Sequence, residues 1–463
     1  MSLFRRIFAP LFGRTAIEAA SVGRRWAGLR PITAPKETIA ASRSIVMDRA
    51  RSLVLSNALA ASGVSAWENS LIGSGILARS THPSARVRKR LDRAWAAWCK
   101  TCDADGRLSF EGIQSLVARR IVVDGECLVL MLIRNGKLRL RVLSSEQLSD
   151  ISQIALPNGN VLASGIEFNS DGERVAYYVH PTPPGAVPTM QPVRIPAADV
   201  LHVYRPDYGG QLRGLSWFAP VLLALSEHGK LSDAATIQQQ IAAMLCGFIV
   251  TPEGDVSKVF PGERDQAGAL IPSLEPGSMV ALDPQQDIRF SNPPRSTGPE
   301  RVLKASARLI AAGLNLPYEC LSGDLEAVNY SSIRAGLVEF RRRCEALQFA
   351  IFGHQLIAPI FARFVSVEAL AGRLYAPGDL QPYGACEIFP PKNQWVDPLK
   401  DAEAEALAIS SGLMSRTEAL AARGWSAEEV DAAIANDRAR EKALGLSFQP
   451  VVTQPQKQNE AVQ

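Results

Sequence analysis

Charge excess is the first thing this 463-residue sequence lacks: 50 lysines and arginines stand against 46 aspartates and glutamates, a formal balance of +4 at pH 7. The total demands no nucleic-acid or membrane partner, so any such contact must come from local placement. Cysteine is sparse, seven residues in no dense framework, which excludes a disulfide scaffold and suits a reducing cytoplasm. Histidine is sparser still, at five, with no HExxH arrangement to support metal-dependent hydrolysis. Long apolar runs free of charge are missing; Met244 to Val250 reads as the nearest candidate and is far too short for a bilayer, so a soluble protein without membrane contact is expected. Arg5, Arg6 and Pro10 interrupt the apolar residues of Met1 to Arg14, so no export signal is expected. What is there is ordinary for a folded chain, 47% hydrophobic and 21% charged, and too long for one core. More than one compact region follows.

Residues 1–36 read as a basic flexible arm, with Arg5, Arg6, Arg14, Arg24, Arg25 and Arg30 against Glu18. Helical spacing runs from Glu37 to Ile72 and ends at Gly73 and Gly75. A second helix after Pro83 carries Val87, Leu91, Ala94, Trp95 and Trp98 on one face. Arg86, Arg88, Lys89, Arg90 and Arg93 on the rest read as a solvated surface. Ser109 is placed to cap a helix over Phe110 to Ile121. Strand-like runs flank Asn135-Gly136, which accepts the positive φ angles of a tight hairpin turn. Further strands are expected at Arg174 to His180 and Val200 to Tyr204, with a proline-rich loop from Pro181 to Pro196 between them. The first 205 residues are therefore mixed α+β. A long helix from Ser216 to Leu245 would reach roughly 45 Å. Gly247 to Pro299 is proline-rich and mildly acidic, with a strand-like run at Gly277 to Leu282, and it hangs between that helix and the next, Glu300 to Leu314. Another helix is expected from Ser331 to Val365, kinked at Gly353 or Pro359, and a last helical region from Asp397 to Gly445 holds ten acids and six bases. The Gln-rich tail should be disordered.

Partial chemical motifs do not survive inspection. Gly73-Ser74-Gly75-Ile76-Leu77-Ala78 has dinucleotide-loop spacing but follows a helix and not a strand, so a helix C-cap is the better reading. Cys99 and Cys102 have no second pair at metal-ligand spacing. Asp103-Ala104-Asp105-Gly106 would put Thr101 and Gly112 at two ligand positions of a calcium loop, and reads as an ordinary turn. A phosphate loop ending in Gly-Lys-Ser or Gly-Lys-Thr is absent, as is a Gly-x-Ser-x-Gly nucleophile elbow. No enzyme, cofactor or metal is expected.

What remains is an order of segments. Asp48 to Leu53 with Asn57, Leu71 to Ile76, Trp95-Ala96-Ala97-Trp98, Asp105 to Phe110 and Asp124-Gly125-Glu126 come first. His202-Val203-Tyr204, Gln211-Leu212-Arg213-Gly214 and Trp217 follow. Asn329-Tyr330-Ser331-Ser332 with Arg334 and Glu339, and Trp395-Val396-Asp397-Pro398 with Gly412, Ser415 and Gly424, close the series. Together, from about Arg43 to Gly424, they resemble the lambda-like family of tailed-bacteriophage portal proteins.

The resemblance implies a portal-type α+β subunit that closes, in about twelve copies, into a homo-oligomeric ring by heterologous contacts. It implies a wing at 37–213, stem helices at 214–246 and 300–316, and a clip at 247–299. A tunnel loop with a wing helix at 317–396, a crown at 397–445 and a tail at 446–463 complete the division. The implied function is the capsid-vertex ring through which DNA is packaged and ejected. Partners would be double-stranded DNA without sequence choice, the terminase large subunit, a head-tail connector, and the major capsid and scaffolding proteins. The implied place is the virion, and the bacterial host cytoplasm during assembly. Asn329, Arg334 and Arg341 are the candidate DNA-channel residues, against the plainer readings of a helix cap and surface ion pairs. Arg341, Arg342 and Arg343 cannot share one helix face, so their roles must differ. A DNA-processing enzyme of the packaging apparatus, or another head-tail connector ring, are the alternatives. Missing nucleotide and metal motifs argue against the first, and the suspended insert against the second.

Overall fold

The structure is a computed structural model that describes residues 32, 34–151, 153–181, 191–243, 247–250, 279–282, 299–326, 330–391, 398–422, 425 and 427–446. The helical spacing after Glu37 resolves into two helices, α1 (Pro35–Ser56) and α2 (Ala58–Leu71). Asn57 makes the break: its backbone is extended and its side chain accepts from the Ala60 N–H, capping α2. Ala60, Gly63, Val64, Trp67 and Leu71 then recur at helical spacing on the buried face of α2. Strand β1 (Leu77–Ser80), α3 (Ala85–Cys99) and α4 (Phe110–Asp124) follow. Ser109 caps α4 by accepting from the Gly112 N–H, and Gly125, at φ 91°, ends it in the left-handed region.

The hairpin β2 (Glu126–Arg134) and β3 (Lys137–Leu143) turns on Asn135 and Gly136, both at positive φ as the sequence requires. A separate five-stranded antiparallel meander comprises β4 (Ile154–Ala155), β5 (Val161–Ala163), β6 (Ile166–Phe168), β7 (Arg174–Val179) and β8 (Val193–Pro196). Strand β8 corrects the expected loop from Pro181 to Pro196: its last four residues pair with β7. Pro196 is tolerated because it ends an edge strand. Strand β9 (Val200–Tyr204) returns to pair with β2, in the order β3-β2-β9. Period-2 alternation gives β2 two buried faces. Cys127, Val129 and Met131 join the main core, while Leu128 and Leu130 join a second core against the meander, with Ile166, Tyr177 and Val179. One sheet therefore divides two cores.

Helix α5 (Leu222–Ala243) begins six residues later than expected, because 217–221 form turns. Its 22 residues reach about 33 Å rather than 45 Å. Strands β10 (Gly247–Val250) and β11 (Met279–Leu282) pair in parallel, and α6 (Pro299–Gly313) packs against α5. After the short α7 (Tyr318–Ser322), one helix runs through α8 (Tyr330–Leu347), a π-helical stretch (Gln348–Ile357) and α9 (Ala358–Leu370). In place of a kink at Gly353 or Pro359, the helix widens. Gln348 there donates to the Leu71 carbonyl at the end of α2, and Gln355 accepts from the Tyr204 N–H at the end of β9. The helix also corrects the expectation about apolar runs. Arg334–Leu370 is long and apolar enough to cross a membrane by composition, but 56% of its apolar window is buried inside the fold. Ile351, Phe352, Phe361 and Phe364 sit in the main core, where Trp95 stacks on Trp98 at 4.7 Å and meets Phe361 and Phe364.

Helix α10 (Gln381–Gly384) and strand β12 (Cys386–Phe389) follow, and β12 pairs antiparallel with β1, tying the ends of the core together. Helices α11 (Pro398–Ser410), α12 (Arg416–Ala422) and α13 (Ala427–Leu444) complete the described chain.

Candidate functional site

Two of the ordered sequence segments, Asp124-Gly125-Glu126 and Gln211 to Gly214, meet in space. Glu126 opens β2 with no solvent exposure, and burial by itself pushes its carboxyl up. The attraction of Arg213 and the hydrogen bond with His202 overcome that and hold it well below the usual carboxylate range. Arg213 donates from Nη2 to Oε1 at 2.7 Å, Arg43 of α1 donates to Oε1 at 3.3 Å, and the Gly214 N–H donates to Oε2 at 2.8 Å. Both arginines also reach Asp150, whose side chain is exposed. His202 sits 3.0 Å from Oε2 through Nε2, and its Nδ1 has no partner among the described residues. Burial keeps this imidazole neutral to lower pH than usual, so Nε2 is the donor. A second pair lies beside it: Arg51 of α1 forks onto the buried Asp124 at 2.7 and 2.9 Å.

Glycine makes the approach possible. A Cβ on Gly214 would lie 2.1 Å from the Gly125 carbonyl oxygen, and one on Gly125 would lie 2.2 Å from the Leu215 carbonyl carbon. This knot holds the chain that starts α5 against α4 and β2. It is a structural anchor: Asp124, Glu126 and Arg213 are buried, and each is held by partners within the fold.

The end of α6, where Gly313 lies against Val221 just before α5, leads to the loop before α8. That segment is pinned at its base from three sides. Trp67 Nε1 donates to the Leu314 carbonyl at 3.1 Å, Ser62 donates to the Leu321 carbonyl at 2.6 Å, and Arg343 donates to the Asn315 carbonyl at 2.9 Å. Lys304 of α6 pairs with Asp324 at 2.6 Å, and the Tyr318 hydroxyl donates to the same carboxylate at 3.1 Å. The Lys304 ammonium, helped by the Glu326 N–H, holds Asp324 at about 2. Lys304 and Arg308 both lie over the Tyr318 ring, at 5.9 and 5.4 Å.

Of the residues singled out from sequence, Asn329 lies outside the described residues. Arg334 is exposed and Arg341 half-buried, both on α8, seven positions and therefore only about 20° apart around the helix. The three consecutive arginines do diverge: Arg342 stands 3.9 Å from Glu339 in solvent, whereas Arg343 turns back to Asn315. Cys99 and Cys102 are buried free thiols, the latter pushed up to about 12 by burial and by Asp103. Asp103 caps its own turn by accepting from the Asp105, Arg107 and Leu108 N–H groups. Sequence reasoning missed Arg43, Lys304, Tyr318 and Asp324, whose partners are distant or lie in an unremarkable loop.

Comparison with known families decides the identity. The description "phage portal protein, lambda family" matches residues 22–348. The chain belongs to this family. The match spans α1 through α8, and so contains both the buried knot and the pinned loop base of this portal protein. The chain is similar to the probable portal protein of Halomonas phage phiHAP-1, 29% identical over 382 residues that cover 78% of this chain and 72% of that one. It is also similar to portal protein B of Escherichia phage lambda, 24% identical over 471 residues, covering 86% and 84%. Among solved structures, it is similar to one of the neck of an empty GTA particle, computed with C6 symmetry. The TM-score there is 0.46 at 17% identity, covering 87% of this chain and 99% of that one.

Proposed function

We propose that this portal protein closes into a ring of about twelve subunits at the capsid vertex, through which double-stranded DNA is packaged and ejected. The observation that carries this reading is the packed pair α5 and α6, which leaves Leu223, Ile237, Val302 and Leu309 exposed on a chain of this family. Apolar side chains in that number on two adjacent helices need a cover, and a neighbouring copy supplies it in a heterologous interface. On this reading α5 and α6 are stem, 247–299 is clip, 37–213 is wing, 317–396 holds the tunnel loop and wing helix, and 397–445 is crown. The clip docks first the terminase large subunit and later the head-tail connector, while the outer surface meets the major capsid and scaffolding proteins. The subunit itself performs no catalysis; the terminase supplies the energy. The loop after Asp324 faces the DNA, with Asn329, Arg334 and Arg341 toward phosphates. Assembly takes place in the bacterial host cytoplasm, and the ring remains in the virion. Electron microscopy of the purified protein should show rings with a central hole, and Leu223→Lys with Leu309→Lys should give folded subunits that do not close. Stable monomers of the wild type over a broad range of concentration and salt would refute the reading.

A further inference from the structure

The charge run on α3 is more than a solvated surface. Arg86, Lys89, Arg90 and Arg93 recur at i, i+3, i+4 and i+7, so they form one stripe along the helix. All four are exposed. The stripe walls a groove of about 700 Å³ whose opposite side is Tyr375, Pro377 and Tyr383, and no acidic residue lines it. Arg90 fixes the groove wall by donating to the Tyr375 carbonyl. Arg88, off the stripe, is the one that turns away, toward the His82 and Pro83 carbonyls and Glu428 of α13. Arg86, Lys89 and Arg93 form no ion pair among the described residues. Like charges at these spacings repel and weaken a helix, so the stripe is unfavourable for folding unless an anion meets it.

We propose that this groove is a docking site for the phosphate backbone of duplex DNA, outside the channel. It rests on the portal reading only in taking DNA as the polymer at hand. Charge complementarity carries it. The stripe spans about 10 Å from Arg86 to Arg93, and a duplex presents about six phosphate charges over that length of axis. Arginine forks match phosphate oxygens, and the tyrosine hydroxyls across the groove can donate to the same strand. Contacts to phosphate carry no sequence information, so this docking is independent of sequence.

The test uses assembled rings and a relaxed, covalently closed plasmid, which cannot thread a closed ring and therefore reports only sites outside the channel. Wild-type rings should retain the plasmid. Arg86→Glu with Lys89→Glu should lower the affinity at least about tenfold near 0.1 M salt, and should reduce the log–log salt slope by about two. Arg438→Glu with Lys442→Glu, an equal change of charge on α13, should leave affinity within about twofold of wild type. Three results overturn the proposal. Equal plasmid retention by the Arg86–Lys89 variant leaves the groove to an acidic protein or to solvent. Failure of that variant to form rings makes the stripe a subunit contact. Binding of linear duplex but not of plasmid by wild-type rings puts every DNA contact inside the channel. Failure of the wild type to form rings at all is a different result, and it counts against the portal reading.

Discussion

Arg213 forks onto Glu126, with Nη2 2.7 Å from Oε1 and Nε 3.1 Å from Oε2, and both side chains are withdrawn from solvent. Two cations and a neutral imidazole thus converge on a single buried anion, and removal of that anion leaves the cations only the exposed Asp150 as a carboxylate partner among these groups.

Glu126→Gln keeps the shape and deletes the charge, so it should destabilise the fold by about 3–5 kcal/mol, the range for breaking a buried pair from one side. Asp150→Ala removes a partner of the same arginines, but Asp150 is 61% exposed, and its loss should cost under about 1 kcal/mol. Thermal unfolding of the two variants measures the difference. Similar losses would show that burial does not set the energetics of the knot.

Acid should loosen the fold in two steps. The Glu126 carboxyl is held down in the folded state, so its stabilisation is complete above the unfolded value of about 4.3 and is lost as pH falls below it. Asp324 and Glu167, each at about 2, act in the same window and with the same sign. His202 is also depressed, by burial, so the unfolded chain takes up its proton first and stability begins to fall below about 6.5. A melting temperature that declines from there and steepens below about 4.3 is expected, and His202→Gln should flatten only the upper step. A profile independent of pH between 7 and 3 would exclude both contributions.

Gly214→Ala should be about as damaging as the loss of the carboxylate. The added methyl would meet the Gly125 carbonyl oxygen at 2.1 Å, and that atom is backbone in the tightest part of the fold. Overpacking of this kind costs about 3 kcal/mol. At Gly159, where no atom approaches, the strain of a positive φ is the only cost, so the two alanine variants compared by denaturant midpoint separate close approach from backbone conformation.

These sites also mark how far the sequence is readable. The Asn135-Gly136 hairpin and the Ser109 cap were legible because their chemistry is local: the turn needs two positive φ angles, and the cap needs one oxygen at the right offset. The short strands Ile154–Ala155, Val161–Ala163 and Ile166–Phe168 were not, since two or three residues carry no period. Asp124-Gly125-Glu126 and Arg213-Gly214 stood out only as separate family marks. Nothing along the chain says that they touch, because their partners lie 83 and 87 positions apart. The long helix escaped as an apolar candidate because Gln348, His354, Gln355 and Pro359 break up the run from Ala346 to Ala362, which otherwise carries no charge.

The three neighbouring arginines give the sharpest functional contrast. Arg343 donates to the Asn315 carbonyl at the loop base, so Arg343→Glu should lower the melting temperature and leave the salt dependence of DNA binding unchanged. If Arg341 faces phosphate, Arg341→Glu should form normal rings, package DNA poorly, and reduce the salt slope by about one. Equal, salt-independent packaging by both variants would remove Arg341 from the channel.

The knot also sets an order in time. Its members extend from Arg43 to Arg213, roughly 170 residues, so Glu126 cannot lose its last water until Arg213 has left the ribosome. Arg213 follows Glu126 by 87 residues, so at about 5–20 residues per second the carboxylate stays hydrated and unpaired with it for about 4–17 seconds. The N-terminal region therefore completes itself only when the start of α5 arrives, so the fold of α1 through β9 waits on a residue that lies beyond it.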